Sequence, residues 1–259
     1  MLRGLVAVLL IGLGLFAASG ALERAVLYPF TPLRDAPPAG LSETTLTTAD
    51  GETLVMWSAP PAPGKPVVLY FHGNAGNLAM RAGRFAAFTA RGFGVVAPGY
   101  RGSSGSSGKP TEATLIDDAR MLAAQLPALT GPAPVIYYGE SLGAAVAIAL
   151  AETSPPAALV LEAPFTSLAG MSARLYGSAA LARLLTSRWP SLERIANVPA
   201  PLLILHGADD PLVPPAMSRS LLAAAPGPDK RLYLVPGAGH VDVWQADAQR
   251  ELYAFLARF

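Results

Sequence analysis

The stretch of this chain best suited to chemistry is Gly139-Glu140-Ser141-Leu142-Gly143. It lies between a β-rich run, Pro134 to Tyr138, and a helix-forming run, Ala144 to Glu152. A serine in that setting fits a sharp strand-to-helix turn that exposes its hydroxyl above a sheet. Glycine on either side has no Cβ, which permits the strained turn and a close approach of strand and helix. A serine hydroxyl becomes a nucleophile when a base takes its proton, and a third group must hold that base in one tautomer. Both partners are available downstream, in His206-Gly207-Ala208-Asp209-Asp210-Pro211 and in Gly239-His240. Asp210 is the expected acid, with Asp209 as its immediate competitor, and His240 is the expected base. The bland readings are an Asx turn at Asp-Asp-Pro and a solvated loop histidine. Asp242 reads as a local helix cap.

Acyl transfer through a serine also needs two backbone N–H donors where negative charge develops. Leu142, directly after the serine, supplies one. The second is expected from His72-Gly73-Asn74-Ala75-Gly76-Asn77, through the N–H of Asn74, with Ala75 as the alternative. His72 and His206 each precede a glycine at a strand end and read as loop braces. Glu140 reads as structural. The Ser- and Gly-rich run from Gly102 to Pro110 looks suited to phosphate, but a P-loop would need glycine at Ser103 and Ser or Thr at Pro110.

These residues need a scaffold, and the chain alternates in the way that supplies one. A hairpin is expected around Asp50-Gly51, from Thr44–Thr48 and Glu52–Trp57. Apolar strands follow at Val67–Phe71, Gly94–Ala97, Val135–Tyr138, Ala158–Leu161, Leu202–Leu205 and Leu232–Val235. Helical runs lie between them at Leu78–Ala90, Leu115–Leu126 and Ala144–Glu152, and the last runs from Val241 to Phe259. Strands apolar at successive positions, separated by helices, indicate an α/β fold with a mostly parallel sheet covered on both faces. Pro164 to Ala200, between the sixth and seventh strands, is long for a crossover and short for a domain. It reads as a crossover helix, Leu168 to Leu185, with a small lid. Its apolar residues are Phe165, Leu168, Leu175, Tyr176, Leu181, Leu184, Leu185 and Trp189.

Composition excludes several classes of function. Nineteen Lys and Arg against eighteen Asp and Glu give a net charge of +1. These charges are scattered, so there is no electrostatic footprint for nucleic acid. The absence of cysteine removes disulfides, thiolate metal sites and a cysteine nucleophile together. Three histidines far apart in sequence do not form a zinc motif. No metal or organic cofactor is expected.

The N-terminus is organised differently. Leu5 to Leu22 is uncharged and mostly apolar, with Arg3 before it and Glu23-Arg24 after it. As a helix it would span about 27 Å, against a hydrocarbon thickness of about 30 Å. Ala17 to Ala21 also resembles a signal-peptidase site. Residues 1–22 are therefore expected to export the chain, as a membrane anchor or a cleaved leader. The catalytic domain, 23–259, would lie on the non-cytoplasmic side.

Together the motifs resemble those of the α/β-hydrolase superfamily, nearest its small-lid, singly anchored serine hydrolases. The resemblance covers the chain from about Glu23 onward. It rests on the 72–77 loop, Tyr100-Arg101-Gly102, the 139–143 turn, Glu162 to Ser167, His206 to Pro214, and Gly239-His240. Gly99 stands where this family usually carries Asp or Asn before Tyr-Arg-Gly. The resemblance implies the order Ser141, Asp210, His240 for a catalytic triad. It also implies hydrolysis of small-molecule or lipid acyl esters or thioesters, with two alternatives, a serine peptidase or a catalytically silent hydrolase fold used as a membrane-tethered binding module.

Overall fold

The eight strands expected, two from the hairpin and six from the apolar runs, all form, and they lie in a single sheet. The computed structural model describes residues 20–259. Its strands are β1 (Ser42–Thr47), β2 (Thr53–Ala59), β3 (Val67–Phe71), β4 (Gly94–Pro98), β5 (Val135–Glu140), β6 (Ala158–Glu162), β7 (Leu202–Gly207) and β8 (Lys230–Val235). The spatial order is β1-β2-β4-β3-β5-β6-β7-β8. β1, β2 and β4 are joined by antiparallel pairing, and every pair from β4 to β8 is parallel.

The described helices are α1 (20–27), α2 (Ala82–Thr89), α3 (Glu112–Thr130), α4 (Leu142–Thr153), α5 (Leu168–Tyr176), α6 (Ser191–Ile195), α7 (Pro215–Ala224) and α8 (Ala246–Leu256). They cover both faces of the sheet. On one face Phe85 and Phe88 of α2 and Leu252 and Phe255 of α8 pack on Val68, Tyr70, Ile136 and Leu203. On the other, α3, α4 and α7 pack on Leu69, Phe71, Leu159 and Ile204. β3, β4 and β6 are buried at every position, which is why their sequences lack polar alternation.

The chain changes direction across the sheet at β3. β4 is added on one side of it and β5 on the other. The loops after β3 and β5 therefore diverge, leaving a crevice at the carboxyl ends of the strands, where ligands of open α/β sheets bind.

Several helix boundaries differ from the sequence reading. The expected helix 78–90 is a 3-10 turn at Leu78–Arg81 followed by α2. The expected run 168–185 breaks after Tyr176, because Gly177 adopts φ +70° and caps α5 in the left-handed region. A 3-10 turn, Ala179–Leu184, follows. α3 is longer than expected, since Thr111 and Thr114 form a reciprocal capping box at its start. The last helix begins at Ala246 rather than Val241. Residues 241–245 instead run in non-helical backbone, which carries Val243 into the core. Asp242 accordingly does not cap that helix; its carboxylate accepts the Gly239 N–H at 2.6 Å and shapes the loop around His240.

Among the described residues no helix is long and apolar enough to cross a membrane. The expected span Leu5–Leu22 lies outside the described residues except for its last three.

Candidate active site

Ser141 is the residue between β5 and α4, and its backbone is strained, with φ 52° and ψ −110°. Packing enforces this. A Cβ on Gly143 would lie 2.0 Å from the carbonyl oxygen of Phe71, and one on Gly139 would lie 2.3 Å from that of Gly143. Both contacts are far inside van der Waals range and are to backbone, so only glycine allows β3, β5 and α4 to converge. The Ser141 N–H donates to Glu162 O at 2.8 Å, which fixes the turn to β6.

Two loops bring partners to this hydroxyl. Ser141 Oγ is 3.0 Å from His240 Nε2, and His240 Nδ1 is 2.7 Å from Asp210 Oδ2. A carboxylate only accepts, so Nδ1 carries the proton and Nε2 is free to accept from the serine. Asp210 is buried and Asp209 exposed. The Asx-turn reading and the acid reading of Asp210 apply to different oxygens. Oδ1 accepts the N–H groups of Leu212 and Val213 at 2.9 and 2.8 Å, while Oδ2 faces His240. Burial alone would raise the Asp210 pKa, but hydrogen bonds from His206, His240 and Val213 outweigh it and hold the carboxyl well below its ordinary range. The ends of β7 and β8 must meet for this geometry. A Cβ on Gly207 would sit 2.1 Å from Gly239 O.

His206 is buried beneath the acid. Its Nε2–H donates to Val213 O at 2.8 Å and lies 3.3 Å from Asp210 Oδ2, and its Nδ1 accepts from Ser218 at 2.6 Å. His72 donates from Nδ1 to Gly73 O at 2.7 Å. Burial, and then the Arg81 charge, lower its pKa to about 4, so it is neutral.

Leu142 is the first residue of α4, where N–H groups have no acceptor within the helix. Asn74 lies across the crevice in the loop after β3. Arg81, which the sequence reading did not single out, ties the two sides together. Its guanidinium donates to both oxygens of Glu140 at 3.1 and 2.8 Å and to Ala75 O at 2.7 Å. Glu140, beside the nucleophile, thus anchors the 72–77 loop, and Tyr70 donates to it as well. A second buried pair, Arg84 and Glu162, lies alongside, with Tyr138 donating to Glu162. A sequence gives little signal for such pairs, because their members come from separate elements.

The serine-rich run after β4 has a backbone role. Ser106 Oγ accepts from Val55 N and donates to Gly99 O, and Ser104 Oγ accepts from Leu78 N at 3.0 Å. It also accounts for Gly99, since a Cβ there would lie 2.8 Å from Ser104 Cβ. The segment between the first helix and β1 braces the same region. Phe30 packs on His72 and Tyr100, and Thr31 N–H donates to Gly76 O at 2.9 Å.

Ser141, Leu142 and Asn74 open onto a cavity of about 810 Å³. The rest of its wall is largely apolar and includes Leu27, Phe165, Leu168, Met171, Leu175, Tyr176, Leu185, Trp189 and Val213. The side chains of Leu181 and Leu184 lie outside the description.

With the strand order and elbow in view, the sequence can be set beside known proteins. It matches Hydrolase_4, the serine aminopeptidase S33 family, over residues 62–195 and 191–242. The chain belongs to this α/β-hydrolase family. An uncharacterized protein of Mycobacterium tuberculosis is 46% identical over 209 residues, covering 79% of this chain and 74% of that protein. The lysophosphatidylserine lipase ABHD12 of Danio rerio is 33% identical over 177 residues, covering 60% of this chain and 46% of that protein. Among solved structures, the Pyrococcus furiosus esterase Pf2001 superposes with a TM-score of 0.71 at 22% identity, over 88% of this chain and 99% of that one. At that identity the likeness shows the fold alone.

Proposed function

We propose that this hydrolase cleaves carboxylic acyl esters or thioesters through an acyl-serine intermediate on Ser141. The observation that carries the reading is the apolar cavity of about 810 Å³ opening at Ser141, a size and lining suited to an acyl chain. Ser141 Oγ attacks the acyl carbonyl carbon while its proton passes to His240 Nε2. Negative charge on the carbonyl oxygen is met by the N–H groups of Leu142 and Asn74. The C–O or C–S bond then breaks, and His240 returns the proton to the departing alcohol or thiol. Water, deprotonated by His240, attacks the acyl-enzyme, and the acid leaves as Ser141 regains its proton. Asp210 keeps the imidazole oriented and stabilises its cationic form.

The family's aminopeptidase description gives the second reading. An aminopeptidase needs an unsatisfied carboxylate near the serine to receive an α-ammonium group. Among the described residues the one carboxylate bordering the cavity is Glu23, whose oxygens already accept from Thr186 and Ser187. Turning Glu23 toward a substrate would leave the donors of the buried Ser187 unpaired. The ester reading is also in keeping with the lysophosphatidylserine lipase among the relatives. p-Nitrophenyl esters of short to medium chains should therefore be hydrolysed faster than any aminoacyl anilide. Efficient anilide cleavage with negligible esterase activity would reverse the assignment.

In this proposal the segment Pro164 to Ala200 covers the cleft, and residues 1–22 serve as an anchor or leader placing the domain outside the cytoplasm, as Arg3 before the apolar run favours. A reporter fused after Phe259 that works only in the cytoplasm would contradict that placement.

A further inference from the structure

One wall of the cavity comes from outside the sheet and its crossovers. α1 contributes Leu22, Glu23, Val26 and Leu27, all bordering the same space as Ser141. This helix straddles the expected boundary between leader and domain at residues 22 and 23. A free tether would not pack there, and α1 is fastened by a specific device. The Glu23 side chain is buried, and one carboxylate collects two backbone N–H groups and two hydroxyls. Thr186 N donates at 2.6 Å and Ser187 N at 2.9 Å, while Thr186 Oγ1 and Ser187 Oγ donate at 2.8 and 2.6 Å. The chain of donors continues, with Tyr28 O–H to Ser187 Oγ at 2.8 Å and Trp189 Nε1–H to Tyr28 at 3.1 Å. Trp189 also lines the cavity, so the latch is continuous with the wall of the acyl space. The turn it grips is held from behind as well, because Glu112 of α3 accepts Arg188 N at 2.5 Å and Trp189 N at 2.9 Å.

Leu22 and Val26 line the cavity yet remain 67% and 56% exposed, as do Leu175 and Tyr176 of α5 at 44% and 69%. Four large apolar side chains left open to solvent at one rim are unusual where no ligand is expected. A chain extending from Ser141 past this rim would cover them. A short acyl group would not reach that far.

We infer that α1 is a specificity-determining wall of the acyl site, latched to the 186–189 turn by Glu23, and that it selects long acyl chains over short ones. This inference rests on the esterase reading above. Leu22, Val26 and Leu27 give the distal methylenes of the substrate a surface to bury against. Glu23 holds that surface in place, acting as a positioning residue.

The test uses the full-length chain in detergent micelles and compares kcat/KM for p-nitrophenyl dodecanoate with that for p-nitrophenyl acetate. Two variants are made, Glu23→Ala and the double Leu22→Ala/Val26→Ala. The second removes only exposed side chains and does not depend on the latch for folding. Reaction of Ser141 with a small fluorophosphonate gives the fraction of intact sites and normalises every rate. The dodecanoate-to-acetate ratio should fall roughly tenfold in each variant, the loss expected when about two methylenes of apolar burial disappear. If Glu23→Ala leaves no reactive Ser141, the double variant decides alone. Unchanged ratios in the variants that retain reactive sites would show α1 to be a tether and overturn the inference. Failure of the unaltered protein to hydrolyse either ester would instead overturn the esterase reading beneath it.

Discussion

Asp210→Asn should disable turnover through a defined reversal of hydrogen-bond polarity. The amide is nearly the same shape as the carboxylate, and the two backbone donors decide which way it turns. Leu212 N–H and Val213 N–H point at Oδ1 from 2.9 and 2.8 Å, so that position must remain an acceptor. The amide carbonyl therefore takes it, and the NH₂ group is placed toward His240, where Oδ2 stood 2.7 Å from Nδ1. Nδ1 then has to accept, the imidazole proton moves to Nε2, and Nε2 can no longer take the proton of Ser141. In serine hydrolases this change of tautomer costs roughly 10⁴-fold in kcat. That is about 5.4 kcal/mol of transition-state stabilisation. The substrate cavity is untouched, so KM should change little. Asp209→Asn, two atoms' width away in sequence but exposed, should retain activity within a factor of about 2, the range of ordinary surface substitutions. Steady-state hydrolysis of a p-nitrophenyl ester on both variants, normalised to circular dichroism, is the assay. Equal losses at the two positions, or a larger one at Asp209, would refute the reasoning.

Two other perturbations test the frame around the site. Gly143→Ala places a methyl 2.0 Å from Phe71 O, a backbone atom that cannot move aside. It should cost roughly 3 kcal/mol or more, lowering Tm by about 6 °C or more for a chain of this size, and an unchanged Tm would show that α4 can slide. Glu140→Gln leaves Arg81 buried without its ion partner and should destabilise the protein by roughly 3 kcal/mol at pH 7. Burial raises the Glu140 pKa, but its bonds to Arg81 outweigh this and depress the folded-state value below the ordinary 4.5. Its stabilisation is thus complete above pH 4.5 and is lost as pH falls toward the folded value. The gap between the two proteins in thermal melts should therefore narrow below pH 4.5. A gap independent of pH would contradict the ion-pair account.

Much of the frame was legible because burial on both faces writes itself into composition. β3, β4 and β6 are apolar at nearly every position, and no amphipathic pattern competes with the parallel-sheet reading. The 139–143 turn was legible because its glycines answer to backbone contacts near 2 Å, a demand no other residue meets. The order of Ser141, Asp210 and His240 along the chain put them at the ends of β5, β7 and β8, and the structure brings them within hydrogen-bond reach. What sequence could not convey was which surface each polar residue would meet. Asp242 follows His240 closely enough to suggest a helix cap, yet Gly239 N–H claims it. Glu140 and Arg81 are 59 positions apart, and nothing local in either element announces the pairing. The 168–185 run has helical composition throughout, but Gly177 stops it once the left-handed cap is available. Glu23 looked like a flanking charge after an apolar segment. Its four donors come from residues 163 positions or more away.

The central claim is that the acyl group passes through Ser141. Quenching the reaction with a p-nitrophenyl ester before steady state, followed by digestion and mass spectrometry, tests this directly. The account predicts an added acyl mass on the peptide containing Ser141, formed at the rate of the p-nitrophenol burst and absent in Ser141→Ala, which remains folded and inactive. Ester turnover that persists in Ser141→Ala, or a burst whose acyl mass lies on another peptide, would contradict it.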